Sequence, residues 1–161
     1  TENEEWIDER TAQFRFDINL LADRLVAAID WLGQAVATEH LPIGLFGAST
    51  GGAAALVAAA RRPGTIATVV SRGGRPDLAG SALPSVAAPT LLIVGGLDRE
   101  VIRLNREAMA QMKCEVELEL VRGATHLFEE PGALDEVARL AGTWFSKHVH
   151  AGAVNFPLGA K

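Results

Sequence analysis

Two runs of consecutive apolar residues limit the folds that this 161-residue chain can adopt. Residues 65–71 read TIATVVS and residues 90–96 read TLLIVGG, and neither run alternates between polar and apolar side chains. A strand with one face in water would alternate, whereas a strand buried on both faces is continuously apolar. The two runs therefore predict a parallel sheet with helices covering both of its faces.

The sequence contains two further predicted strands, and segments with a helical pattern lie between the predicted strands. Apolar residues recur at helical spacing after Asp17, which we interpret as an N-cap. Residues 115–121 alternate polar and apolar, which indicates a half-exposed strand near a sheet edge. Short connections and right-handed crossovers then give an α/β fold. The predicted order is helix 17–33, strand 41–46, helix 50–61, strand 65–71, loop 72–88, strand 90–96, helix 101–112, strand 115–121 and helix 132–149.

Length and charge narrow the classes of protein that remain. The chain is long enough for one domain, and we expect an irregular segment 1–16, a folded domain 17–149 and a flexible tail 150–161. A net charge of −5 without a basic cluster argues against nucleic-acid binding. No apolar run is long enough to span a membrane and the N-terminus is acidic, so we expect a cytoplasmic protein. A start without Met indicates processing or a fragment of a longer chain.

The segment GASTG at positions 47–51 places Ser49 between a predicted strand and a predicted helix. A G-x-S-x-G turn at such a junction holds a serine in a sharp backbone conformation with its hydroxyl exposed, ready to attack an acyl group. We expect side chains in place of Gly47 and Gly51 to collide with the neighbouring strand and helix. The pentapeptide alone also fits an ordinary glycine-rich turn, because the chain contains 16 glycines.

Two further residues follow strands at the same predicted edge of the sheet. Asp98 comes after strand 90–96, and His126 comes after strand 115–121. Since a serine hydroxyl is a weak nucleophile, a base must take its proton, and we assign that role to His126. Asp98 would accept the other ring N–H and orient the imidazole. The backbone N–H of Thr50 would donate one hydrogen bond to the oxyanion.

Other interpretations of these residues stay open. Asp98 could simply be the N-cap of the helix that begins near residue 101. Asp77, after the second predicted strand, is a rival for the acid, although Pro-Asp there also fits a simple turn. His126 could cap the last helix. Arg72 and Gly73 could line a substrate pocket or bind an acidic group, or they could belong to a solvated loop.

Three segments together resemble a known family. GLFGASTGG at 44–52, PTLLIVGGLD at 89–98 and GATHLF at 123–128 are similar to the α/β-hydrolases, and within them to the dienelactone-hydrolase-like branch. The resemblance covers about residues 17–149 and implies strands 5 to 8 of an eight-stranded fold. It implies a carboxylesterase that acts on short acyl chains with no metal or organic cofactor. The chain also looks like hydrolase domains that are fused behind phosphoribosyltransferase domains in some bacteria.

The chain departs from that family in two ways. Dienelactone hydrolases carry cysteine where this chain has Ser49, so serine esterase chemistry is the expectation. The front half of the family fold, which supplies a second oxyanion donor, has no counterpart, and strand 41–46 would lie at an open edge. We therefore expect either a separate N-terminal half or a second copy to cover this edge. The alternative is a binding or regulatory domain that is weakly active or inactive without its partner.

Overall fold

The computed structural model describes residues 1–149, and a parallel sheet forms the centre of this part of the chain. Its four strands lie in chain order, β1-β2-β3-β4, and every neighbouring pair is parallel. The α/β class is therefore confirmed. The strands are β1 (Ile43–Ala48), β2 (Ile66–Arg72), β3 (Thr90–Gly95) and β4 (Val116–Val121).

Helices cover both faces of the sheet, as the continuous apolar strands predicted. Neighbouring residues of β2 face opposite ways: Val69 packs in one buried cluster with residues of α2, α3 and α4, and Val70 packs in another with residues of α5. β3 is buried along its whole length, while the outermost strand, β4, is mostly exposed or half-buried. The helices are α1 (Glu2–Thr11), α2 (Ile18–Leu32), α3 (Thr50–Arg61), α4 (Arg99–Met109) and α5 (Ala133–Val149).

The segment 1–16 is not irregular, and this prediction was wrong. Most of it forms α1, which begins with a capping box: the Thr1 hydroxyl accepts from the Glu4 backbone N–H, and the Glu4 carboxylate accepts from the N-terminal amine. No residue of α1 is buried, so the helix lacks the apolar stripe by which a sequence reveals a helix. By contrast, α2 begins as predicted, with the Asp17 side chain accepting from the Leu20 N–H at 2.9 Å.

The predicted loop 72–88 contains more helix than expected. Residues Pro76–Ser85 form two 3₁₀ stretches that meet at Gly80, where φ is 51°. Leu83 of this segment is fully buried against the helices on one face of the sheet. The tail 150–161 lies outside the described residues. Within residues 1–149, no helix has both the length and the apolar character to cross a bilayer.

Strand β1 has a partner on one side, β2, and within the described part of the chain no strand pairs with its other edge. Large apolar side chains are exposed near this edge, including Phe46 (51% exposed) and Leu41 (48% exposed). A mostly apolar cleft of about 250 Å³ lies between residues 41–44 and Leu32 at the end of α2. The open apolar edge predicted for the first strand is therefore present in the structure.

Candidate active site

Ser49 occupies the turn between β1 and α3 in a backbone conformation that is rare for any residue but glycine. Its φ is 52° and its ψ is −122°, and such conformations cost on the order of 1–3 kcal/mol. Neighbouring backbone groups hold the turn in place. The Ser49 N–H donates to the Arg72 carbonyl at 3.2 Å, and the Ser49 carbonyl accepts from Arg75 and Gly52, both at 3.1 Å. The sharp backbone conformation that the G-x-S-x-G segment predicts at Ser49 is therefore observed.

The glycines around the turn differ in importance. A Cβ at Gly47 would lie 2.2 Å from the Gly51 carbonyl oxygen, which no side chain could tolerate without movement of the backbone. A Cβ at Gly51 would meet nothing within 4 Å, so the expected collision at Gly51 was wrong. The second close contact is at Gly52, where a Cβ would lie 2.4 Å from the buried Ser71 hydroxyl. The motif is therefore sterically tight at Gly47 and Gly52.

The structure brings Asp98 and His126 together. The His126 Nδ1 lies 2.7 Å from the Asp98 Oδ2, although the two residues come from loops after different strands. The other carboxylate oxygen, Oδ1, accepts from the Val101 backbone N–H at 3.4 Å and caps α4. The Asp98 side chain therefore both caps α4 and contacts the His126 imidazole. Its carboxylate is largely buried, while the His126 ring is 42% exposed.

Asp77, the rival acid, has a different partner. Its two oxygens accept from Arg75 Nε and Nη2 at 2.9 and 2.8 Å, in a bidentate pair. This hydrogen bonding raises the pKa of the Arg75 guanidinium above its ordinary value. Within residues 1–149, no hydrogen bond joins Asp77 to His126, so the geometry favours Asp98 as the partner of the imidazole.

A carboxylate that sequence reasoning missed holds the loop around His126. The Glu130 Oε1 accepts from the Thr125 hydroxyl at 2.6 Å and from the Thr125 backbone N–H at 3.0 Å. These hydrogen bonds, that of the hydroxyl first, keep the pKa of Glu130 below its ordinary value. The pattern that could have revealed it is weak, because Glu129 and Glu130 look like a solvated acidic pair.

Gly73 lets the loop from β2 approach the loop of His126. Its φ is +52°, and a Cβ there would lie 3.2 Å from both the His126 carbonyl and the Phe128 ring. Phe128 is buried and also has a positive φ, 59°. The Arg72 guanidinium carbon lies 5.3 Å from the centre of the same ring. Arg72 and Gly73 therefore lie next to both the Ser49 turn and the His126 loop.

Ser49 and His126 are not joined by a hydrogen bond in the part of the chain that the structure describes. Within the described residues, the Ser49 hydroxyl makes no hydrogen bond with His126 or with the backbone of α3. Such contacts are often long in structures without substrate. Thr50 is the first residue of α3, so its backbone N–H has no acceptor within the helix and remains available.

The site has no built-in metal centre among the residues described. Across residues 1–149, no three His, Cys, Asp or Glu side chains come together in a set that could hold a metal ion.

The chain is similar to known proteins in both sequence and fold. The sequence profile of the dienelactone hydrolase family matches residues 3–149. The crystal structure of a dienelactone hydrolase from Anabaena variabilis superposes with a TM-score of 0.90 at 60% identity, covering 92% of this chain and 69% of that one. A monoacylglycerol lipase from Paleococcus ferrophilus shares the fold, with a TM-score of 0.68 at 18% identity over 81% of this chain and 76% of the lipase.

Two curated relatives are much longer than this chain. They are proteins from two Mycobacterium tuberculosis strains, CDC 1551 and H37Rv, named as candidate phosphoribosyl transferases. Each is 56% identical over 142 residues, which is 88% of this chain but only 32% of the relative. The match fits the expected similarity to hydrolase domains fused to phosphoribosyltransferases. The family match also begins at residue 3, before the boundary at residue 17 that the motifs indicated.

Proposed function

Since the chain belongs to the dienelactone hydrolase family of α/β-hydrolases, we propose that it is a serine carboxylesterase that hydrolyses esters of short acyl chains. The observation that carries the proposal is the 2.7 Å contact between His126 Nδ1 and Asp98 Oδ2, at the edge of the sheet where the Ser49 turn lies. An oriented imidazole at the same sheet edge as a strained, half-buried serine is the arrangement that acyl transfer needs.

In the proposed reaction, the Ser49 Oγ attacks the ester carbonyl carbon while His126 Nε2 takes the hydroxyl proton. The negative charge moves to the carbonyl oxygen, where the Thr50 N–H donates a hydrogen bond. The intermediate collapses, the C–O bond to the alcohol breaks, and the leaving alkoxide takes the proton from His126. Water then attacks the acyl-enzyme with His126 again as base, and the carboxylic acid leaves with Ser49 restored.

The test is turnover of p-nitrophenyl acetate by the wild type and by Ser49→Ala. We expect Ser49→Ala to lose at least 10³-fold in kcat and to keep its unfolding midpoint. Ser81→Ala, a change at an exposed serine of the 3₁₀ segment, is the matched control and should keep full turnover. Turnover by Ser49→Ala equal to that of the wild type would rule out the assignment.

We propose that Arg72 and Gly73 contribute to the substrate site. The Arg72 carbonyl already holds the Ser49 N–H, and in residues 1–149 its guanidinium has no carboxylate partner. Arg72→Gln should raise KM for an ester that carries a free carboxylate and leave KM for a neutral ester unchanged. An equal effect on both esters, or none on either, would remove Arg72 from substrate binding.

We also propose that a polypeptide covering the open edge of β1 completes the site, either an N-terminal half on another chain or a second copy. Exposed Phe46 and Leu41 support this proposal. It is also supported because we assign one oxyanion donor, the Thr50 N–H, within the described residues, and loss of one donor costs about 10²–10³ in rate. Light scattering combined with turnover tests it. A stable 17.0 kDa monomer with full esterase activity would contradict it.

One observation favours the second candidate, a binding or regulatory domain without activity. Within residues 1–149, the Ser49 hydroxyl makes no hydrogen bond with His126. The two candidates differ in the reactivity of Ser49. An activated serine reacts covalently with a fluorophosphonate, and an unactivated serine does not.

A further inference from the structure

We infer that Asn105, on α4, is a positioning residue that sets the distance between the Ser49 turn and the Asp98–His126 pair. The inference rests on the proposed esterase function. Asn105 is fully buried, and both of its hydrogen-bond partners are backbone carbonyls. It therefore acts through the backbone of other residues and does not touch the substrate.

The side-chain amide of Asn105 links two parts of the chain. Its Nδ2 donates to the Val101 carbonyl, one turn back in α4, at 2.8 Å. The same nitrogen donates to the Gly74 carbonyl, in the loop after β2, at 3.0 Å. Both amide protons are thus used, and the second hydrogen bond crosses from the helix to the loop.

Each of the two hydrogen bonds of Asn105 connects, through neighbouring backbone groups, to a proposed catalytic residue. On the loop side, Gly74 is followed by Arg75, whose N–H donates to the Ser49 carbonyl at 3.1 Å. Gly74 itself has no freedom to carry a side chain, because a Cβ there would lie 1.9 Å from the Ser71 hydroxyl. On the helix side, the Val101 N–H donates to Asp98, which in turn contacts His126.

The intrinsic stability of helix α4 does not explain why this position holds asparagine. The Asn105 Oδ1 is buried and has no hydrogen-bond partner within the described residues. An unpaired buried oxygen destabilises the folded state, and asparagine is a poor residue for a helix interior. A leucine would remove the unpaired oxygen and suit the helix better, but it is larger than asparagine and could not donate to the Gly74 carbonyl. The cross-link from α4 to the loop is what asparagine adds.

The experiment compares Asn105→Leu, Asn105→Ser and a matched control, Thr90→Val. Leucine removes both hydrogen bonds. Serine can still donate to the Val101 carbonyl in its own helix but cannot reach Gly74. Thr90→Val removes one buried hydrogen bond, from Thr90 Oγ1 to the Ala88 carbonyl, at the opposite end of the sheet. For each variant we measure the unfolding midpoint, kcat and KM, and the proton resonance of the His126–Asp98 hydrogen bond.

We expect both Asn105 variants to lose about 10- to 100-fold in kcat with KM unchanged, because a misplacement of about 1 Å costs on that order. The His126 proton resonance should shift or broaden in both variants, and Thr90→Val should change neither quantity. If Asn105→Leu does not fold, kcat and the His126 resonance of Asn105→Ser test the positioning role. Folded variants with wild-type kcat and an unmoved resonance would overturn the inference.

The test of Asn105 and the test of the proposed esterase function can fail independently. If the wild type has no turnover, the esterase proposal fails, and the His126 resonance alone then decides the role of Asn105. If the wild type is active and the Asn105 variants are equally active, the esterase proposal stands and the positioning role falls.

Discussion

Gly47 and Gly51 frame the Ser49 turn symmetrically in sequence, yet the structure predicts that the same substitution has opposite effects at the two positions. Gly47→Ala would place a Cβ 2.2 Å from the Gly51 oxygen and 2.5 Å from the Gly51 carbonyl carbon. Ordinary contacts begin at 3.4 Å, so an overlap of more than 1 Å must be relieved by moving the first turn of α3. Overpacking of this kind costs about 1–3 kcal/mol.

Gly51→Ala meets no atom within 4 Å, and Gly51 lies in the first turn of α3 without a positive φ. Alanine is favoured over glycine in a helix, and the change should stabilise the fold by about 0.4–1 kcal/mol. The two variants should therefore differ by roughly 1.5–4 kcal/mol in the free energy of unfolding, the sum of the two effects.

Urea unfolding monitored by tryptophan fluorescence measures both variants on the same scale. We expect the midpoint to fall for Gly47→Ala and to rise slightly for Gly51→Ala, with similar slopes. Turnover should fall with Gly47→Ala, because relief of the overlap displaces Ser49. Equal destabilisation by both substitutions, or a stable Gly47→Ala with normal turnover, would refute the steric account of the turn.

Two further predictions concern the side chains around His126. Asp98→Asn keeps an oxygen to cap α4 but presents an NH₂ to His126 Nδ1, so kcat should fall by about 10⁴ with little change in the unfolding midpoint. The control, Asp77→Asn, should change kcat by no more than a few-fold. A large loss of kcat in Asp77→Asn and a small one in Asp98→Asn would make Asp77 the acid. The folded pKa of Glu130 lies below its ordinary 4.5, so its stabilisation is present above pH 4.5 and is lost as pH falls through the folded value. Glu130→Gln should therefore be less stable than the wild type at pH 7, and the difference in urea midpoint should shrink below pH 4.5; a difference that does not change with pH would contradict this role.

The sequence predicted the features that arise from local patterns. Continuous apolar runs at 65–71 and 90–96 were sufficient for a parallel sheet with two covered faces. Parallel order then placed Ser49, Asp98 and His126 after the ends of the first, third and fourth strands. Helix α1 escaped detection because its stability comes from a capping box and no residue of it is buried.

The rest of the site depends on contacts between residues far apart in the chain. Asn105 meets Gly74 across 31 positions, and neither residue belongs to a recognisable motif. The unequal importance of Gly51 and Gly52 follows from where Ser71 of the next strand packs, which no local pattern encodes. Such residues can be found only once the strands are in register.

The central claim is that Ser49 is an activated nucleophile, and covalent labelling tests it most directly. The wild type, Ser49→Ala and Ser81→Ala are each incubated with a fluorophosphonate, and intact mass and peptide mapping locate the adduct. The account predicts one adduct at Ser49 in the wild type and in Ser81→Ala, and none in Ser49→Ala. An unlabelled wild type, or an adduct that persists in Ser49→Ala, would contradict it.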